Sequence, residues 1–463
     1  MRIVMKFGGT SLADGERIKN TARIVRDLRP EECIVVVSAL KGVTDRLVTM
    51  AKKVAQGLSE EEIKNFTGEL LEKHRVATFE AVSKEHRDVV IIDIEKLCSE
   101  LEKVLTGISY VGELTPRSMD YVMSFGERLS APIVCGALRS MGLKSRWLSG
   151  YHAGIITDSN FGKATPIWDI TNEKVKSTLL PMIKSGEVPV ITGFIAGDEQ
   201  GRITTLSRGG SDFTASILGA ALDADEIWIW TDVDGIMTSD PKLIKEARTI
   251  KVISFIEAME LAYFGAKVLH PKTIEPAMEK DIPVRVRNTF NLENEGTLIV
   301  REQEKIVDVV KAISIMKNVA LLNVSGAGMI GVPGVAAKVF GALANEKVNI
   351  LMISQGSSEV NISFIVERGD LRKAVKTLEK TFTGKNIVRD VQYNENVAII
   401  AVVGAGMRGT RGVAARVFRA VADAGVNVLM IAQGSSEVNI SFIVLEEDAV
   451  KAAKALHDEF IVH

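Results

Sequence analysis

The feature that most restricts this chain is an internal duplication. Residues 318–366 align without gaps on residues 396–444, at a constant offset of 78, with about two-thirds of positions identical. Sequences this alike fold alike, so the C-terminal part is expected to hold two copies of one small unit. In first-copy numbers each is predicted as strand (319–325), helix (335–344), strand (348–354), strand (360–366) and helix (371–382), the order of a βαββαβ sandwich. The glycines of the repeat invite another reading. Gly326, Gly328 and Gly331, and again Gly404, Gly406 and Gly409, satisfy the dinucleotide pattern G-x-G-x-x-G between a strand and a helix. A dinucleotide unit needs a helical crossover after its second strand and an acidic residue for the ribose. Here the second strand ends at Ser354-Gln355-Gly356 and turns through 357–359 straight into the next strand, which predicts an antiparallel hairpin. The glycines are therefore expected to make a tight turn and to approach a small ligand or a partner subunit closely.

Ahead of the repeats, residues 1–300 alternate strand-like apolar runs (3–7, 34–38, 188–192, 226–231, 283–286) with longer helical patterns. That alternation predicts a mostly parallel sheet with helices on both faces. Residues 59–103 are dense in Glu and Lys, lack proline and carry apolar residues at helical spacing, so they are expected to form one or two long solvated helices beside the sheet. A charged stretch after Gly296 reads as a linker. The expected organisation is an α/β domain at 1–300, a linker at 301–316, and repeat domains at 317–393 and 394–463.

Composition narrows the partners. A formal net charge of −2 leaves no excess to draw the chain to nucleic acid or anionic membranes. The longest apolar runs, such as 33–37, are far short of the ~20 residues that span a bilayer. Residues 1–5 are too short for a signal-peptide core and run straight into Lys6, so a cytoplasmic location is expected. Cys33, Cys98 and Cys135 are odd in number and widely spaced, and none of the six histidines shows metal-ligand spacing. Reduced thiols and, if any metal, an oxygen-bound one are expected.

Several segments carry chemistry. Lys6-Phe7-Gly8-Gly9-Thr10-Ser11 lies between the first strand and a helical segment opening near Asp14. Paired glycines let backbone N–H groups converge on an anion at a helix N-terminus, and a lysine at the strand end can reach a transferring phosphoryl group. No G-x-x-x-x-G-K-[ST] run occurs, so this phosphate loop is not of the Walker type. Ser207-Arg208-Gly209-Gly210-Ser211-Asp212 stands between a strand-like run (202–206) and a helix (213–222). Its glycines can present donors to phosphate, Arg208 can clamp a carboxylate bidentately, and Asp212 either caps the helix or serves the site. Two such loops on one domain favour phosphoryl transfer. Thr231 and Asp232, at a strand's carboxyl end, are nucleotide candidates. Lys267 either faces phosphate or is a surface charge. Glu127 and Arg128 fall inside an apolar helix (121–138), where charge is costly without partners: they form an internal ion pair, or Glu127 receives a substrate ammonium.

Together KFGGTS at Lys6, SFGERLS around Glu127, ITGFI at 191–195, SRGGSD at Arg208, WTDVDGI at 230–236 and FGAKVLHP at Lys267 occur in the order found in aspartate kinases. Over essentially its whole length the chain resembles a monofunctional aspartokinase of the amino-acid kinase superfamily, with two C-terminal ACT domains. Ending at His463, it is expected to lack the homoserine dehydrogenase that some relatives carry. The resemblance implies an αβα sandwich followed by two ferredoxin-like units. It implies phosphorylation of the β-carboxylate of L-aspartate by ATP with Mg²⁺, the first step towards lysine, threonine and methionine. Carried over by motif, Lys6 is catalytic and contacts the transferring phosphates with Gly8, Gly9 and Ser11. Thr231, Asp232, Met237, Lys242 and Lys267 would line the nucleotide site, Met237 standing where the family has tyrosine. Thr44, Glu127, Phe194, Arg208, Gly209, Gly210 and Ser211 would hold aspartate, and Asp212 would orient Lys6 or the metal shell. A carboxylate acceptor, with a pKa near 4, needs no general base. In the repeats Gln355 and Gln433, with Asn349 and Asn427, would bind an amino-acid effector, threonine in preference to lysine, and the enzyme would be at least a dimer through its ACT domains.

Overall fold

Strand Arg2–Phe7 lies between two parallel neighbours, Glu32–Val37 and Glu226–Thr231, and all three are apolar on both faces. The computed structural model describes residues 1–207, 209–265, 269–302, 309–356, 360–382 and 388–462. It divides into two units, one of residues 1–236, 251–255 and 268–302, the other of residues 237–250, 256–267 and 303–463.

The first unit is built on an eight-stranded sheet in the order Ser145–Leu148, Val188–Thr192, Glu32–Val37, Arg2–Phe7, Glu226–Thr231, Val284–Asn288, Thr297–Val300, Val252–Ser254. Neighbours are parallel except Val284–Asn288 with Thr297–Val300. Side chains alternate across it. Ile3, Met5, Phe7, Cys33, Val35, Val37 and Trp230 pack in one core with helices Gly15–Leu28, Val43–Val54, Glu60–Ala81, Lys84–Val111 and Pro116–Ser140. Val4, Ile34, Val36, Ile227 and Ile229 are buried on the opposite face. There helix Gly210–Leu222 lies so close that a Cβ on Gly219 would stand 2.6 Å from Ile227 Cδ1. Burial on both faces is what a parallel sheet with helices on each side requires. The expected long helices are the pair Glu60–Ala81 and Lys84–Val111, the first opened by a Ser59/Glu62 capping box. A small sheet of Ile156–Thr157, Ile195–Asp198 and Ile203–Thr205 completes the unit.

The second unit holds a six-stranded sheet in the order Ile350–Gln355, Asn361–Glu367, Ala312–Ser325, Asp390–Val403, Asn439–Leu445, Met430–Gln433, with every pair antiparallel. The hairpins after Gln355 and Gln433 are therefore antiparallel, as expected, and among the described residues no helical crossover follows the second strand of either repeat. Gly331 (φ 64°) and Gly409 (φ 69°) are left-handed, which accounts for the third glycine of each motif. One expectation is corrected. The linker placed at 301–316 ends inside a strand, because Ala312 to Met316 pair with Val403 to Ile399 and Ile313 is buried in the core of the second repeat. Each repeat thus takes its fourth strand from the other's leading strand. The pairing is symmetric about a pseudo-two-fold axis: Ala312 opposes Val403, Ser325 opposes Asp390, and Val319 opposes Val397, its own equivalent. Arg368 likewise pairs with its counterpart Glu446. Among the described residues no helix is long and apolar enough to cross a membrane.

Candidate active site

In the first unit, loops leave the carboxyl ends of adjacent parallel strands at one edge of the sheet, where open α/β sheets bind ligands. Backbone bonds stitch these ends together: Gly8 N–H donates to Trp230 O at 3.2 Å, Ser38 N–H to Phe7 O at 3.1 Å, and Gly193 N–H to Val37 O at 2.8 Å. Alternation puts Lys6 on the face of Val4, towards helix Gly210–Leu222, and its ammonium meets Asp212 Oδ1 at 2.5 Å. Asp212 is not the helix cap. Gly209, at φ +77°, takes that position without a side-chain bond, and Asp212 in the first turn is left for Lys6. The first-turn N–H groups are thus not taken by a capping side chain, the arrangement that suits an anion. Gly9 backs onto the next loop, where a Cβ would stand 3.1 Å from Ala39 O. The hydroxyl of Ser11 is buried against Thr289 Oγ1 at 2.7 Å, so it braces the loop from behind.

Across that loop lies Glu127, in helix Pro116–Ser140 and 4% exposed. It does not pair with Arg128, which donates to both oxygens of Glu100 at 2.9 Å. Burial pushes the Glu127 carboxyl up to about 8, against the Ala39 and Glu127 N–H groups and the Lys6 charge, which pull it down. Its Oε2 is buried without a hydrogen-bond partner. A carboxylate so placed wants a cation. Thr44 borders the same helix, its Oγ1 3.4 Å from where a Cβ on Gly126 would stand. Phe194 adopts φ 66°, a strained conformation for a non-glycine costing about 1 kcal/mol or more. It is held there by Thr214 Oγ1 on its N–H (3.0 Å) and Leu206 N–H on its carbonyl (2.9 Å). Its ring packs on Gly210, and Ser211 packs on Gly193.

The fold thus gathers Lys6, Gly8, Gly9 and Asp212, and places Phe194, Gly209, Gly210 and Ser211 along the same helix start. Thr231 ends its strand, its hydroxyl 3.3 Å from Asp232 Oδ1, and the exposed Asp232 follows. Met237 and Lys242 belong to the second unit. There Met237 bridges Thr249, and the exposed Lys242 donates its N–H to Asp240. Arg208, Lys267 and Glu359, the last a carboxylate that would suit a lysine effector, lie outside the described residues. Sequence reasoning missed the Ala39 N–H, which faces Glu127; a backbone donor leaves no mark in the residue type. In the first repeat, Gln355 lines a cleft of about 340 Å³ with Met329, Val332, Pro333 and Ile362. Gln433 occupies the equivalent strand end in the second repeat, and Asn349 and Asn427 are exposed beside the strands.

Residues 1–288 match the amino acid kinase family, and residues 322–382 and 400–460 each match the ACT domain. The chloroplastic bifunctional aspartokinase/homoserine dehydrogenase of Daucus carota is 36% identical over 467 residues, covering 99% of this chain and 50% of its own. The chain spans about half the length of such bifunctional relatives. Chloroplastic aspartokinase 1 of Arabidopsis thaliana is 36% identical over 471 residues, covering 99% of this chain and 80% of its own. E. coli aspartokinase III in complex with aspartate and ADP, in its R-state, is similar at a TM-score of 0.82 and 31% identity, over 99% of both chains. The same enzyme with lysine and aspartate, in its T-state, gives the same values.

Proposed function

The chain belongs to the aspartate kinases of the amino acid kinase family, and on that premise we propose that it transfers the γ-phosphoryl group of ATP to the β-carboxylate of L-aspartate. The product, 4-phospho-L-aspartate, would be the first intermediate towards lysine, threonine and methionine. The observation that carries this reading is the Lys6–Asp212 ion pair at the double-glycine loops, with the buried carboxyl group of Glu127, its Oε2 without a hydrogen-bond partner, across from it. Lys6 and the Gly8-Gly9 loop hold the transferring phosphates, with Thr231, Asp232, Met237, Lys242 and Lys267 serving the nucleotide. Glu127 takes the α-ammonium of aspartate, Arg208 its α-carboxylate, and Thr44, Phe194, Gly209, Gly210 and Ser211 shape the rest of the pocket. The acceptor carboxylate is ionised at neutral pH, so alignment and charge neutralisation are what remain for the protein to supply. No group of three or more acidic or His/Cys side chains that could cage a metal occurs among the described residues. Mg²⁺ would arrive with the nucleotide, as suits an ion that keeps its waters and takes one or two carboxylates, with Asp212 the carboxylate at hand. When bound it would neutralise phosphate charge. The test is coupled ATP turnover against L-aspartate, L-glutamate, uridylate and carbamate. Turnover with aspartate alone is expected, and equal efficiency with glutamate would overturn the assignment.

We also propose that the repeats bind an amino-acid effector, with threonine favoured over lysine. Support comes from the Gln355 amide, which lines that cleft and suits a small neutral side chain; the carboxylates that would suit lysine are Glu359 and Glu437, the latter accepting from the Gly409 N–H in the second repeat. Threonine and lysine titrations of the wild type and of Gln355→Ala decide between them. The proposed assembly is at least a dimer through the ACT domains. Edge strands Ile350–Gln355 and Met430–Gln433 each expose an isoleucine at equivalent positions, Ile353 and Ile431. A monomer in light scattering at micromolar concentration would refute it. The cytoplasm is the proposed compartment.

A further inference from the structure

Helix Glu60–Ala81 carries none of the residues assigned above, yet it reaches the loop that separates the phosphate loop from Glu127. The Lys73 ammonium donates to the carbonyl oxygen of Lys41 at 2.9 Å. Lys73 is half-buried, and burial, then the neighbouring Arg46 charge, lowers its pKa. The charge is therefore held here at a cost that a hydrogen bond to a carbonyl offsets.

The loop it holds, 38–44, touches both halves of the site. Ser130 Oγ donates to Ser38 O at 2.7 Å, Ala39 O lies against Gly9, and the Ala39 N–H faces Glu127. Past Lys41 the support thins. Gly42 is left-handed (φ +77°) with nothing within 4 Å of where a Cβ would stand, and helix Val43–Val54 starts there without a side-chain cap, carrying Thr44 in its first turn. Ser130 and Glu127 hold the backbone at Ser38 and Ala39, and among the described residues Lys73 is the one side chain that hydrogen-bonds the backbone from Lys41 to Thr44. The helix bearing it is a fixed post. Its last turn packs on Gly15 so closely that a Cβ there would stand 2.5 Å from Ala77 O, and the Gly15 N–H donates to Glu80 Oε2 at 3.1 Å.

We propose that Lys73 is a positioning residue for the aspartate subsite: through the Lys41 carbonyl it fixes the corner that sets the Ala39 N–H against Glu127 and Thr44 beside Gly126. This rests on the assignment of Glu127 and Thr44 to aspartate. Lys73→Met keeps the apolar stem and removes the donor; Lys73→Arg keeps a donor. Lys73→Met is expected to raise the aspartate KM about tenfold while kcat and the ATP KM stay within about twofold of wild type. Lys73→Arg is expected to restore the aspartate KM to within about threefold, with both melting temperatures within about 3 °C of wild type. If the methionine variant does not fold, Lys73→Gln, too short to reach Lys41, should show the same KM rise. Wild type that uses aspartate, together with a Lys73→Met (or Gln) enzyme whose aspartate KM is unchanged, or whose ATP KM rises as much, overturns this proposal alone. Wild type without aspartate-dependent turnover overturns the substrate assignment and the proposal with it.

Discussion

Glu127 is a carboxyl group with a raised pKa, and the proposed ammonium site calls for its ionised form. Burial pushes it to about 8, so the unliganded enzyme holds it protonated below that pH. A substrate ammonium binds the carboxylate, and the aspartate KM should therefore rise about tenfold for each unit of pH below about 8 and level off above it. A flat KM profile between about pH 6.5 and 9 would remove Glu127 from the ammonium site. The linkage sign follows from the same shift. The folded state holds this proton more tightly than the unfolded chain, whose glutamate has the ordinary value of 4.5, so the contribution to stability falls as pH rises between the two values. Glu127→Gln should accordingly raise the melting temperature near pH 8.5, leave it unchanged near pH 4, and abolish tight aspartate binding. Lys6 is proposed to act on the phosphoryl group instead, and on that reading Lys6→Ala should lower kcat at least about 10²-fold with little change in aspartate KM, because its charge would work mainly in the transition state. Both residues could be picked out of the sequence by motif. The Lys6–Asp212 contact is one of two roles the motif offers for Asp212, and strand alternation, which turns Lys6 towards a helix that starts far along the chain, is what brings the two together.

Among the elements, helix Gly210–Leu222 shows most clearly what local sequence conceals. Asp212 looks like a cap by residue type, but the left-handed Gly209 occupies the cap position. The helix start is also pressed against the loop after Val188–Thr192: a Cβ on Gly193 would stand 2.6 Å from the Ser211 Cβ and 2.9 Å from its Cα. Backbone cannot give way there, so Gly193→Ala should push the helix start away from the strand ends. A loss of about 1–3 kcal/mol in stability and an aspartate KM raised about tenfold are expected. Gly68 is the control. It sits inside helix Glu60–Ala81 with nothing within 4 Å of a Cβ, so Gly68→Ala should be stabilising by about 0.5–1 kcal/mol without altering KM. Thermal melts and aspartate saturation of the two variants check both statements. That helix was foreseeable because its apolar positions recur at helical spacing. Its tie to Lys41 was not, because a single lysine on a charged helix reads as a solvated face.

At the scale of the molecule, the chain passes between its two units at 236/237, 250/251, 255/256, 267/268 and 302/303, so the stretch that matches the kinase family is not one contiguous body. The duplication is plain from residue 318 onward, yet the exchange of fourth strands is hidden. The equivalent segments 312–316 and 390–394, AISIM and DVQYN, share no identical residue, so self-alignment stops where each repeat begins to serve the other. The exchange makes a crossed prediction. Ile313 precedes the first repeat but is 1% exposed in the core of the second, packed with Val402, Phe442 and Leu456. Its counterpart Val391 precedes the second repeat but packs against the core of the first, with Leu322, Phe364 and Leu378. Ile313→Ala should therefore cost about 2–4 kcal/mol and speed amide exchange in helices Val413–Asp423 and Ala449–Phe460. Helices Val335–Asn345 and Leu371–Phe382 should keep their protection. Val391→Ala should loosen those two instead, by a smaller amount because Val391 is only partly buried. Exchange that quickens in the repeat adjoining each substitution in sequence, and not in the other, would show that the two cores are not shared in this way.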